Sequence, residues 1–544
     1  MKQLSQIDSI FVYNESAHQP LHISPILIYD QSTAKNGVRF KDILARFQER
    51  IHKSPVFRQR LVRVPLNLDS PYWVEDEHFD LEFHVRHLSL PKPGDWRQFC
   101  ILLARLHSRP LDLNRPPWEA YIIEGLDNIN GMPPGAFAMY LKIHHCAIDG
   151  ATGNQIIEAL HDLQPDARPT SYPDNWQGEA PPSTLTLLKN AAVNAMRSPS
   201  RAAKLAKHAY TSHFAEKKGF QGRAFENHEV KERIRFNESI TPHRVFGGFR
   251  MNLQDLKEIK NIVGDCTLND VVLSIVGGAM RRYLMEKGEL PEHSLVAGVP
   301  ISTRSVEQNT TEGGNQVAGM RLHLRTDIAD PLQRLRLIHQ DAVASKAYAN
   351  AIGVERMSTI LNSIPAGLAS VGMRVVSSTH LAARAPLLHT IITNVPGPQF
   401  PMYMAGAKAG LWLGAGCPLD GTGLFHTVNS YYGSITLTFI CCRKMMPDPD
   451  FYHQCITGAF HELQQQSLAL AKKSAPAKSV GSSSQSRTAK ASAKSTRSKK
   501  AVTTGTTATR APANKAPTKK VQAKKAPAKK ANQTTSGTTA SGTY

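Results

Sequence analysis

The chain has 544 residues, 41% of them hydrophobic, and a formal net charge of +21. That length accommodates more than one domain with a sizeable core. No run approaches the roughly 18 uninterrupted apolar residues of a spanning helix, so any membrane contact is expected to be peripheral. The charge is unevenly placed: Ala471 to Tyr544 holds 17 Lys or Arg and no acid, which leaves +4 for everything before it.

The opening residues, MKQLSQID, have no apolar run after their charge, so no secretory signal is expected. Seven scattered cysteines (100, 146, 266, 417, 441, 442 and 455) show no Cys-x-x-Cys spacing and read as reduced and mostly buried. Both features point to a cytoplasmic protein. In a first block, residues 1–165, the strand-like runs PLHISPILIYD and AFAMYLKIHH mix with the helical runs FKDILARFQERI and WRQFCILLARLHSR. Residues 166–232 read as a linker and crossing region. It is rich in Pro, Asp, Ser and Gly up to about Pro182, then helical and basic, with a break at Pro199.

A second block, 233–468, opens with LQDLKEIKNIV and LNDVVLSIVGGAMRRYLMEKG, both with helical spacing, and Thr267 is suited to cap the latter. SLVAGVPIS, HTIITNVPGP and YYGSITLTFICC look like strands; in the last, Cys441 and Cys442 would face opposite ways. Alternation of both kinds in both blocks predicts a mixed α/β architecture in two halves. Residues 469–544 form a Lys/Ala/Pro-rich tail that from Ser474 onward has no Leu, Ile, Phe or Trp. Such a segment cannot offset the entropy of folding and is expected to be disordered alone. Its Ala-Pro-x-Lys-Lys spacing repeats at 516–520 and 526–530.

The chemistry concentrates in KIHHCAIDG, residues 142–150, where a buried strand ends and a helix begins. Adjacent side chains at a strand end point to opposite faces, which disfavours chelation of one metal by His144 and His145 together. No His-Glu-x-x-His or Cys cluster completes a site, so no metal is expected. The geometry suits a single general base, since imidazole takes a proton near neutral pH. Asp149 could orient a ring or hold the turn, and Gly150 lets the backbone turn where a Cβ would clash. Taken alone, a His-His pair at a strand end is most often structural or incidental; the neighbouring segments decide.

Those segments resemble the bacterial wax ester synthase/acyl-CoA:diacylglycerol acyltransferase family. HHCAIDG matches its HHxxxDG motif, and RPPWEAYIIEGL (Arg115 to Leu126) looks like its Pro-Leu-Trp segment with Pro117 in place of Leu. The Asn269-Asp270 pair, VPISTR (Val299 to Arg304), GGNQVAGMRLHL, TNVPGPQFPMYMAGAK and NSYYGSITLTFICCRKMMPD follow in order. The resemblance implies the two-domain fold of the CoA-dependent acyltransferases, as in chloramphenicol acetyltransferase and condensation domains, with a tunnel between the domains. It further implies O-acyl transfer from acyl-CoA to diacylglycerol or a fatty alcohol. By motif position His145 is the general base, His144 supports it and Asp149 is mainly structural. No cofactor is implied, acyl-CoA being a co-substrate.

The remaining candidates for substrate binding each have a structural alternative. Gly150 and Trp118 could serve the turn and the core, and Asn269 and Asp270 could cap a helix. Arg304 could meet a CoA phosphate or hold the domain interface, and Asn394 begins an Asn-Val-Pro-Gly-Pro turn that would shape the tunnel. Lipid substrates imply docking at the inner membrane or at lipid inclusions. Residues 185–210 and 360–388 are candidates, although core packing is the ordinary expectation for the second. The tail suits anionic lipid or nucleic acid. A rival reading makes the protein a granule- or nucleoid-associated tether that acts through that tail.

Overall fold

The computed structural model describes residues 1–148, 150–167, 176–196, 229–302, 317–352 and 366–474. The first half contributes strands β1 (Lys2–Gln3), β2 (His22–Asp30), β3 (Gln59–Val62), β4 (Tyr72–Glu75), β5 (Val85–Ser89), β6 (Trp118–Glu124) and β7 (Phe137–His144). Its helices are α1 (Gln6–Asn14), α2 (Phe40–Arg50), α3 (Trp96–His107) and α4 (Gly150–Leu160). The second half adds β8 (Arg244–Asn252), β9 (Val296–Ser302), β10 (Val317–His323), β11 (Thr390–Pro396), β12 (Tyr403–Met404), β13 (Ala407–Ala415), β14 (Leu424–Tyr431) and β15 (Ser434–Cys442). With them come helices α5 (Leu253–Val263), α6 (Leu268–Glu286), α7 (Pro331–Ile352), α8 (Ala366–Ser378) and α9 (Pro449–Ser474).

Two six-stranded mixed sheets dominate, in the orders β12-β13-β2-β7-β6-β5 and β10-β9-β11-β14-β15-β8, beside a small sheet β1-β4-β3. β7 is buried along its whole length because both of its faces are covered, which is why its sequence is apolar without alternation. Phe137, Met139, Leu141 and Ile143 pack with Ile43 and Phe47 of α2 and Ile156 and Ile157 of α4. Ala138 and Tyr140 face Phe99 and Leu103 of α3, and Phe246, Phe425 and Ile440 of the second sheet join the same cluster. The second core surrounds α6, which is buried nearly all round. Thr267 caps that helix as its sequence predicts: its hydroxyl accepts the Asp270 N–H at 3.2 Å while the Asp270 carboxylate accepts the Thr267 N–H at 2.8 Å.

Sheet membership departs from a division of the chain at 165 and 233. β13 belongs by sequence to the second half, yet it pairs antiparallel with β2, from Lys408 opposite Asp30 to Ala415 opposite Ser24. Both of its neighbours are apolar strands, so the exchange completes the first sheet and ties the halves together. The crossing region is likewise partly built in. Trp176 donates to Glu75 at 2.7 Å, Leu187 and Ala191 pack on Val64 and Tyr72, and Asn194 donates to Asp69 at 2.7 Å. All seven cysteines are buried free thiols. Pro199 and the tail from residue 475 lie outside the described residues.

Candidate active site

β7 ends at His144, and a three-residue turn leads toward α4. The backbone holds this turn from both sides: the His144 N–H donates to the Pro117 carbonyl at 2.9 Å, and the His145 N–H donates to the Leu21 carbonyl at 2.9 Å. The two imidazoles then have different fates. His144 has no exposed surface. Its Nδ1 accepts the Cys146 N–H at 3.2 Å, which places the proton of the neutral ring on Nε2, 3.5 Å from a Glu15 carboxylate oxygen. His145 is half-buried, and its ring lies flat on Phe11, with centroids 4.2 Å apart and planes within 4°. One imidazole is locked inside; the other is half-buried and held in a fixed plane.

Behind the pair lies a buried polar layer. His22, opposite His144 in the β2–β7 register, donates through Nε2 to the His107 carbonyl at 3.0 Å. His107 donates through Nε2 to the Gly416 carbonyl at 2.7 Å and accepts the Tyr140 hydroxyl at Nδ1 at 2.8 Å. Burial drives both rings toward the neutral form, pushing His107 down to about 3 and His22 well below the ordinary histidine range. They therefore brace the strand without titrating near neutral pH.

Lys142, also fully buried, donates to the Leu106 carbonyl at 3.3 Å and lies 3.7 Å from Glu119. Burial lowers its ammonium to about 8, against the raising influence of Glu119. Between pH 8 and the ordinary lysine value, the folded protein holds this lysine neutral while the unfolded chain keeps it charged, so stability rises with pH there. Relative to Lys142→Met, the wild type is expected to gain about 1.4 kcal/mol per pH unit across that window. Denaturant midpoints of both proteins at pH 8 and pH 10 measure the difference; a gap independent of pH would contradict it.

The other candidates separate into groups. Trp118 opens β6 with no exposed surface; its indole N–H donates to the Phe57 carbonyl at 3.0 Å and its ring stacks on His84. It packs as a core residue, the structural alternative that its sequence context left open. Asp270 is likewise buried and taken up by the Thr267 cap and by His339, 2.8 Å away, so capping accounts for it. Asn269 and Asn394, 125 positions apart, are brought together: the Asn394 amide donates to the Asn269 carbonyl oxygen at 3.3 Å. Next to them, Asn154 of α4 donates to the Pro396 carbonyl at 2.8 Å, so the Asn-Val-Pro-Gly-Pro turn sits against the helix that follows the histidines. Gly397 is required in that turn, since a Cβ would lie 2.4 Å from the Ser430 carbonyl oxygen. Gly150 begins α4; Asp149 and Arg304 lie outside the described residues.

Phe11, Glu15, His22 and His107 carry no signal in the sequence that ties them to the turn. Each is a single residue in an unremarkable run; the placement of α1 brings Phe11 and Glu15 to the turn, the pairing of β2 with β7 brings His22, and the end of α3 sets His107 behind it.

Residues 4–272 match the model of the wax ester synthase/diacylglycerol acyltransferase catalytic domain, and residues 313–464 match that of the WS/DGAT C-terminal domain. A Mycobacterium tuberculosis relative named as a diacylglycerol O-acyltransferase is 31% identical over 82% of this chain and 87% of its own. A Mycobacterium bovis relative of the same name is 30% identical over 86% of this chain and 100% of its own. Among solved structures, the wax ester synthase/diacylglycerol acyltransferase from Marinobacter aquaeolei VT8 superposes with a TM-score of 0.61 at 26% identity, covering 86% of this chain and 100% of that one. The first condensation domain of the calcium-dependent antibiotic synthetase gives a TM-score of 0.50 at 13% identity, covering 86% and 96%, a likeness of fold alone.

Proposed function

The chain belongs to the wax ester synthase/diacylglycerol acyltransferase family and is an acyl-CoA-dependent acyltransferase, and from that premise we propose that His145 is its general base and that the acceptor hydroxyl belongs to diacylglycerol, a long-chain fatty alcohol, or both. The observation that supports the base is the contrast within the pair: His144 is wholly buried with its Nδ1 taken by the Cys146 N–H, whereas His145 is only half-buried, its ring held in a fixed plane against Phe11.

The reaction then runs in one transfer. A neutral imidazole nitrogen of His145 takes the hydroxyl proton as the oxygen attacks the thioester carbonyl. The tetrahedral adduct collapses, the carbon–sulfur bond breaks, and the imidazolium returns the proton to the departing thiolate, giving ester and free CoA. Both substrates meet at one base, so positioning supplies much of the acceleration. His144 serves this step indirectly, by holding the turn through Cys146 and by facing Glu15. Acyl-CoA enters as a co-substrate, and no cofactor is needed for the proton and electron balance.

Direct transfer leaves no acyl group on the protein. The nearest thiol, Cys146, is pushed well above the ordinary thiol range by burial and makes a poor nucleophile. Incubated with radiolabelled palmitoyl-CoA and no acceptor, the denatured protein is expected to carry no label. A stable acyl-protein adduct would replace direct transfer with a two-step route.

A further inference from the structure

Helix α8 has two faces of opposite character. Ala366 and Ser370 are buried, where the helix packs against α1 and the turn near Leu68. On the outer side Leu368, Val371 and Val375 form one stripe at helical spacing and are 67%, 58% and 53% exposed. The residue 360–388 stretch is therefore not simply core, as its composition suggested. Beside the stripe, Leu66 is 88% exposed on a left-handed backbone (φ 56°), a conformation an L side chain rarely adopts. Leu68 is half exposed, and an added Cβ on Gly367 of α8 would lie 3.4 Å from its carbonyl oxygen. A single exposed leucine is ordinary, but a group of them across two contacting elements is a patch.

The patch borders a cavity of about 580 Å³ whose lining includes Val12, Tyr13, Glu15, Arg63, Arg374 and His380. Its wall on the α1 side adjoins the catalytic turn: Glu15 faces His144, and Val12 follows Phe11, the residue stacked on His145. Arg63 and Arg374 are exposed, and among the described residues neither has an ion-pair or hydrogen-bond partner. Of the other charged or titratable groups there, Glu15 is occupied with His144, His380 with Asp420 at 2.8 Å, and Tyr13 donates to the Asp69 carbonyl at 3.2 Å, while His18 lies beside the His380 ring. Two unpaired guanidiniums beside an apolar stripe complement a phospholipid layer, with its phosphates above its hydrocarbon. No single helix among the described residues is long and apolar enough to cross a membrane.

We infer that this surface docks the protein on a phospholipid layer. The outer stripe of α8 and the Leu66–Leu68 turn enter its apolar region, and Arg63 and Arg374 meet its phosphates. The cavity between α1 and α8 receives the lipid acceptor on its way to His145; that last step rests on the acyltransfer reading given above.

Flotation of the full chain with phosphatidylcholine vesicles tests the surface, because a neutral lipid removes the electrostatic pull of the basic tail. The variant Leu368→Asn/Val371→Asn/Val375→Asn is expected to bind at least about tenfold more weakly than wild type. Leu66→Ser/Leu68→Ser provides a second, independent change outside the helix and is expected to weaken binding in the same direction. On vesicles that also contain phosphatidylglycerol, Arg63→Gln/Arg374→Gln is expected to bind several-fold more weakly. In the two apolar variants, whose altered residues do not line the cavity, KM for vesicle-embedded diacylglycerol should rise in parallel, with KM for palmitoyl-CoA and turnover of a water-soluble alcohol unchanged. Wild-type flotation by the folded apolar variants would overturn the proposal. So would a rise in palmitoyl-CoA KM in the arginine variant with flotation intact, since the guanidiniums would then serve the phosphates of CoA. If wild type transferred no acyl group at all, the acyltransfer reading would fall while flotation still decided the surface.

Discussion

His145→Ala is expected to slow acyl transfer by about 10²–10⁴-fold, the usual contribution of a positioned general base, with little change in the unfolding midpoint. The side chain lies against Phe11 at the surface of the turn, and the turn itself is held through the His145 backbone N–H to Leu21. Removing the ring therefore removes the base and leaves its support. His144→Ala should behave differently. That ring is wholly buried, and its loss leaves the Cys146 N–H without its acceptor, at a cost of about 1–3 kcal/mol before the cavity is counted. Turnover and thermal unfolding measured together on both variants separate the roles. Full turnover in a folded His145→Ala protein would move the base to another residue.

Trp118→Ala is expected to destabilise the protein by about 3–5 kcal/mol while leaving substrate KM unchanged in the fraction that folds. The indole is fully buried, flat on His84 with centroids 4.7 Å apart, edge-on to Phe57 at 5.0 Å, and bonded to the Phe57 carbonyl. Deletion opens a large cavity under β6 and leaves that carbonyl unpaired. Trp118→Phe should retain most of the packing and lose chiefly the hydrogen bond. Denaturant unfolding of the two variants checks the order; a raised KM with unchanged stability would return Trp118 to the substrate site.

The strand that delivers the histidines was legible because both of its faces are buried, so a short apolar run with Gly and Pro just before it marked it. The α6 cap was legible for a local reason: Thr267 and Asp270 stand at the spacing that satisfies two backbone N–H groups. What sequence could not supply was non-local. Nothing in the text around Ala407–Ala415 distinguishes a strand of the second sheet from one that joins the first, because its apolar face suits either. Glu15, His22 and His107 reach the turn only through strand register and helix docking, so no spacing announces them. The outer face of α8 misleads for the opposite reason. Its apolar spacing is that of a core helix, and only the structure shows that its leucine and valines face outward.

The most direct measurement is the release of free CoA from palmitoyl-CoA by the full-length wild-type protein, with and without diacylglycerol or hexadecanol. Acyl transfer at His145 requires that release depend on the acceptor, with one ester formed for each CoA set free. Release at the same rate without acceptor would make the protein a thioesterase, and no release by the folded protein with either acceptor would contradict acyl transfer to lipid hydroxyls.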